Sequence, residues 1–170
     1  MLEYIRDKQH YDRVLKASFS ARETLWIGTA DLKDLHVNYR GSFVPYLHVL
    51  SERLKKGTAV RLIHAKEPGK NFRRDFDKYP ALQKQLERML CPRVHFKLII
   101  IDMQTVYIGS ANLTGAAMGA KSPDKRNFEA GIFTDEPEII EAAISQFDEV
   151  WMGRHCKTCA RRTYCSDGIV

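Results

Sequence analysis

The run at residues 94–101, Val-His-Phe-Lys-Leu-Ile-Ile-Ile, constrains this chain more than any other segment. Side chains alternate along an extended strand, so Val94, Phe96, Leu98 and Ile100 share one face and His95, Lys97, Ile99 and Ile101 the other. The first face is wholly apolar and the second ends in two isoleucines. Both need cover, and a strand covered on both faces lies inside a sheet between two layers of helices.

The neighbouring segments agree with that demand. Thr24–Thr29 (TLWIGT) and Ala59–His64 (AVRLIH) are short apolar runs, and residues 43–56 between them space Val44, Leu47, Leu50 and Leu54 at helical intervals. The expectation is a β-α-β unit, with Gly57 as C-cap. Residues 71–90 read as a charged, partly amphipathic helical region stopped by Pro92, and residues 106–109 and 128–134 as further strands. Pro137–Trp151 carries Ile140, Ile144, Phe147 and Trp151 at helical spacing. The class expected is α/β. A catalytic domain over residues 1–153 is expected to be followed by a cysteine-rich metal-binding tail over residues 154–170.

The 170 residues are 44% hydrophobic and 28% charged, a composition that favours neither disorder nor a membrane class. The first sixteen residues lack the uninterrupted apolar stretch of a signal peptide or spanning helix, so the expectation is a cytoplasmic chain without stable membrane association. Lysine and arginine exceed acids by 27 to 21. Lys66, Lys70, Arg73 and Arg74 cluster in one stretch and Lys157, Arg161 and Arg162 in another, which suits a phosphate backbone.

His95 and Lys97 put an imidazole and a cation side by side. Burying an unpaired ammonium among apolar neighbours costs several kcal/mol unless an anion arrives, and a phosphate is such an anion. A turn at Asp102 leads to Gly109 Ser110 Ala111 Asn112, where small polar groups and free backbone N–H donors can hold phosphate oxygens. Asp102 points away from the His95 face by parity and reads as structural, as does Gly109.

Written out, the pattern is His95, one residue, Lys97, four residues, Asp102, six residues, then Gly109 Ser110 Ala111 Asn112. It resembles the defining motif of the phospholipase D superfamily at every position. The resemblance implies a mixed β-sheet sandwiched between α-helices and a phosphodiesterase with His95 as covalent nucleophile. It assigns charge stabilisation to Lys97 and Asn112 helped by Ser110, without a catalytic cofactor or metal. It further implies that Glu129, in Asn127 Phe128 Glu129, orients the histidine. A second histidine must protonate the leaving oxygen, yet His10, His36, His48, His64 and His155 lack the motif around them. Single-motif members of the superfamily pair two chains across a twofold axis, so a homodimer with a shared site is expected.

The four cysteines are Cys91, Cys156, Cys159 and Cys165, and the last three form a C-x2-C-x5-C cluster. Close cysteines in a cytosolic chain point to metal or redox chemistry. The triplet resembles that of iron-sulfur-stapled nucleases of the RecB-like exonuclease group, where a remote cysteine completes the set. That implies a structural zinc or 4Fe–4S centre held by Cys91, Cys156, Cys159 and Cys165, with His155 as an alternative zinc ligand.

Three functions are open on these residues. The first is a nuclease acting on DNA or RNA, and the second a phospholipid hydrolase or transphosphatidylase. The third is a noncatalytic nucleic-acid-binding module, against which the intact His95, Lys97, Ser110 and Asn112 argue.

Overall fold

The computed structural model describes residues 1–33 and 35–166; the last four residues of the expected tail lie outside the described residues. The chain opens with β1 (Leu2–Arg6), a π-helical turn (His10–Leu15) and the short α1 (Lys16–Ser18), followed by β2 (Thr24–Thr29). A hairpin of β3 (His36–Tyr39) and β4 (Ser42–Pro45) then leads into α2 (Tyr46–Lys55) and β5 (Ala59–His64). Two short helices, α3 (Lys70–Phe76) and α4 (Pro80–Gln85), precede β6 (Glu87–Leu90). The chain continues through β7 (Leu98–Ile101), β8 (Thr105–Gly109), β9 (Ala130–Thr134) and α5 (Pro137–Trp151).

Among the described residues, seven strands form one mixed sheet in the order β1-β9-β8-β7-β2-β5-β6. β2, β5 and β6 run parallel, with Leu25 opposite Val60 and Leu62 opposite Arg88, while β7 pairs antiparallel with β2 and with β8. The direction of pairing therefore changes at β2.

The two faces of β7 do enter two separate cores. Ile99 and Ile101 join Leu25, Ile27, Tyr107 and Phe133 beneath Leu47, Leu50 and Leu54 of α2 and Leu82 of α4. Leu98 and Ile100 join Val94, Trp26, Ile63 and Val106 against Ile140, Ala143 and Phe147 of α5. The Phe147 ring stacks on Trp26 at 4.9 Å. Burying a side chain of this size contributes roughly 1.5–3 kcal/mol, and α5 offers several along one stripe, which holds it on the sheet.

Several boundaries differ from the sequence reading. The strand expected over residues 94–101 is a ladder only from Leu98, because β2 pairs with β7 no further than Gly28 opposite Leu98. The Phe96 ring lies directly over Gly28, where a Cβ would stand 2.6 Å from its Cδ2. The helix expected from residue 43 begins at Tyr46, since residues 42–45 are taken up by the hairpin and Pro45 is the N-cap. The helical region expected over residues 71–90 is two helices separated near Pro80, and its end is β6. That strand lies at the sheet edge, where Glu87 and Arg88 are exposed and Glu87 pairs with Arg61 at 2.6 Å. A charged strand at an edge carries no apolar run by which to find it. The strand expected from residue 128 begins at Ala130. β1 is the opposite edge, and only Ile5 of its five residues is buried, so its alternation was hidden among charges.

Candidate active site

Residues 94–97 hang between the Pro92 turn and β7, and their side chains keep the alternation of the strand they enter. Lys97 is only 7% exposed, and His95 is exposed. The Lys97 Nζ donates to the His95 carbonyl at 2.7 Å and lies 3.1 Å from His95 Nδ1. Burial pushes the Lys97 ammonium below its ordinary pKa, with the Glu129 charge acting in the opposite direction. Among the described residues no carboxylate pairs with this ammonium at ion-pair distance, so it stands ready for an anion.

Asp102 sits in the β7–β8 turn with φ +52°, and its carboxylate faces the start of β2. Oδ1 accepts from the backbone N–H groups of Arg22 at 3.0 Å, Glu23 at 2.8 Å and Thr24 at 3.0 Å. A carboxylate taking three amides clamps the β7–β8 turn to the N-terminal end of its neighbouring strand. Asp102→Ala is expected to lower stability by about 2–5 kcal/mol, since three donors lose a charged acceptor together. Denaturant unfolding measures it, and the refolded variant should keep its kcat, because none of these bonds reaches His95.

Asn112 holds the other end of the same pair of strands. Its Oδ1 accepts from Ala30 N and Asp31 N, both at 3.1 Å, and from Thr29 Oγ1 at 3.3 Å. The amide carbonyl is thereby committed, which leaves Nδ2 as its outward donor. Thr29 was not singled out in the sequence, and a threonine at the end of an apolar strand gives no signal of this role. Its Oγ1 also accepts from Leu113 N at 3.0 Å.

Three of the amides around Ser110 are already engaged. Ser110 N donates to Ala130 O at 2.9 Å, Ala111 N to the Tyr107 hydroxyl at 3.2 Å, and Leu113 N to Thr29. Anion binding at this turn therefore falls mainly to side chains and to the Asn112 amide. Gly109 is there because a Cβ would stand 2.6 Å from the Ala130 carbonyl and still nearer the Tyr107 hydroxyl. The Ser110 hydroxyl donates to Glu129 Oε2, and Asn127 Nδ2 donates to Glu129 Oε1 at 3.0 Å. The Glu129 carboxylate is thus bonded to Ser110 and Asn127, and His95 to Lys97.

Beside Asn112 and Asn127 lies an open groove of about 800 Å³. Lys33, Lys66, Lys70 and Lys121 line it against Asp31 and Glu67. It lies past the C-terminal ends of the parallel β2 and β5, at the edge where the pairing direction changes, a habitual ligand position in open α/β sheets. Lys33 and Lys121 come from segments that were not singled out in the sequence.

No other histidine of the described residues repeats the His95 setting. His10 and His64 are fully buried, with Nδ1 bonded to the carbonyls of Asp7 and Lys66. His155 lies in the tail, where it lines a cavity of about 260 Å³ together with Cys91, Cys156 and Cys159. Among the described residues no three His, Cys, Asp or Glu side chains are already gathered closely enough to hold an ion.

A three-layer α/β sandwich with a His-Lys strand and a Gly-Ser-x-Asn turn on its neighbour defines a phospholipase D-like domain. The family described as "Cardiolipin synthase, PLD-like domain" matches residues 15–151, and the chain belongs to it. Members of this superfamily generally act on phosphodiesters. The chain is 27% identical over 133 residues to cardiolipin synthase 1 of Staphylococcus aureus (strain MRSA252), covering 68% of this chain but 25% of that protein. It spans about a quarter of the length of that curated relative. Its fold is also that of NucT from Helicobacter pylori, with a TM-score of 0.60, 20% identity and coverage of 88% of this chain and 95% of that one. Nuc from Salmonella typhimurium, a phospholipase D family member, aligns with a TM-score of 0.59, 19% identity and coverage of 89% and 93%. No helix among the described residues is long and apolar enough to cross a membrane.

Proposed function

We propose that this chain is a nuclease that hydrolyses DNA or RNA phosphodiesters through a covalent phosphohistidine at His95, in a site completed by a second copy of the chain. The observation that carries the reading is the buried Lys97 ammonium held against the His95 ring and carbonyl.

An arriving phosphate pairs with Lys97 and draws it off the ring, which frees the imidazole to attack phosphorus. The bond to the leaving oxygen breaks as the histidine of the second copy gives that oxygen its proton. Water, deprotonated by the same second histidine, then displaces His95 from phosphorus. Lys97 and Asn112 Nδ2 face the charge on the nonbridging oxygens, and Ser110 adds a hydroxyl. Glu129, bonded to Ser110 and Asn127, fixes that hydroxyl.

The lysine-lined groove beside Asn112 favours a polyanion as substrate, because it extends beyond the reach of one phosphate. A second copy has an apolar surface to meet. Tyr4, Ile132 and Ile108 stand opposite one another across β1, β9 and β8 on the α5 side of the sheet, and are 66%, 41% and 38% exposed.

A phospholipid substrate is the second reading. It draws support from Phe128, 98% exposed between Asn127 and Glu129, and from the printed name of the curated relative. The purified protein is to be incubated with plasmid, single-stranded DNA, RNA and vesicles of phosphatidylcholine or phosphatidylglycerol, each with and without EDTA. Cleavage of nucleic acid that survives brief EDTA treatment is the expected result. Turnover of lipid alone selects the second reading, binding without cleavage selects a noncatalytic module, and strict dependence on added magnesium removes the histidine mechanism.

A further inference from the structure

We infer that the C-terminal tail is stapled to the segment feeding the catalytic strand by a thiophilic metal centre, with Cys91, Cys156, Cys159 and Cys165 as its thiolate ligands. All four cysteines are unpaired as thiols and none is fully exposed. Cys91 is 65 residues from Cys156 in sequence, yet both line the same cavity of about 260 Å³ with Cys159. The remaining sulfur, Cys165 Sγ, lies 3.6 Å from the carbonyl of Leu90, the residue next to Cys91. Every cysteine of the chain therefore collects at one end of the sheet, where β6 ends.

Chance convergence of all the thiols is a poor account, because the tail is otherwise thinly held. It consists of turns and a three-residue 3-10 helix, with no buried residue over 154–166. Its contacts back to the domain include Arg161 with the Pro92 carbonyl at 3.3 Å and the Cys165 sulfur with Leu90. A segment without a core of its own needs a staple to hold a shape. The Cys156–Cys159 spacing closes a turn, with Cys159 N donating to Cys156 O at 3.2 Å, and such a turn brings two sulfurs to one ion. The sulfurs are not yet at ligand distances. Bringing them together takes a rearrangement of the exposed, turn-rich tail, and metal binding supplies the folding free energy for it.

The centre stands four residues before His95, so it fixes the entry of the strand while taking no part in the chemistry. It also sets Arg161 over that entry, where its guanidinium donates to the Pro92 carbonyl at 3.3 Å. The inference does not depend on the nuclease reading.

The test is elemental analysis and absorption spectroscopy of the whole chain purified anaerobically, with alkylation mass spectrometry of its thiols. The expected result is one zinc per chain, or about four irons with absorption near 400 nm, and thiols protected until a chelator is added. His95→Ala and His155→Ala should retain the metal, while Cys159→Ser and Cys165→Ser lose it and the tail becomes protease-sensitive. Four alkylatable thiols with neither zinc nor iron overturn the inference, as do two disulfides. Loss of metal in His155→Ala with retention in Cys165→Ser overturns the four-thiolate assignment.

Discussion

His95→Ala should abolish turnover, by about 10⁴-fold or more, because no neighbouring group can form the covalent bond to phosphorus in its place. Lys97→Ala should lose about 10²–10³-fold through kcat, the range seen when one preorganised donor to a developing charge is removed. The two variants part company in stability. His95 is exposed and Lys97 keeps its bond to the carbonyl at position 95 when the ring is removed, so His95→Ala should unfold near the wild-type midpoint. Lys97 is a buried ammonium without an ionic partner in bonding contact, and replacing it removes a desolvation cost. Lys97→Ala should therefore be at least as stable as the wild type while being nearly inactive. Single-turnover assays and denaturant melts on the same preparations test both halves. A His95→Ala chain working near the wild-type rate would sink the mechanism.

The second large effect concerns mixtures. If one site is built from two chains, a dimer of one wild-type and one His95→Ala chain lacks either the nucleophile or the acid. After dissociation and random reassociation of equal amounts, only dimers with two wild-type chains work, so activity should fall to about a quarter of the all-wild-type value, not to half. Independent sites would give half. Sedimentation at micromolar concentration supplies the mass, and a fully active species near 19.6 kDa contradicts the shared site. Charge placed in the exposed row, as in Ile132→Lys, should separate the chains and remove activity without altering the fold of each one.

The middle of the fold was legible in the sequence because it is made of unbroken apolar strands. Thr24–Thr29 and Ala59–His64 are the strands β2 and β5 to the residue, and Pro137–Trp151 is α5. The edges were not, because β1 and β6 have solvent on one flank and carry charges where central strands carry isoleucines. The motif residues could be named from spacing alone, but their hydrogen bonds could not. Parity predicts which side of a strand Lys97 occupies. It says nothing of whether Glu129 reaches His95 or Ser110, which depends on side-chain torsions in a loop. The groove lysines come from three separate segments, and only folding brings Lys33 and Lys121 beside Lys66 and Lys70.

The grip of Asn112 on Thr29, Ala30 and Asp31 ties the fate of two distant stretches of sequence together. One amide oxygen serves donors more than eighty residues away, so a change at position 112 strands the amides of Ala30 and Asp31 together, while the Thr29 hydroxyl keeps the Asp31 carbonyl at 2.8 Å. A change at Thr29 that removes its hydroxyl leaves Leu113 N without an acceptor. Selection must therefore act on the pair as one heritable unit. Among descendants of a common ancestor, the loop after β2 and the turn after β8 should drift in step, even though they lie in different parts of the sequence.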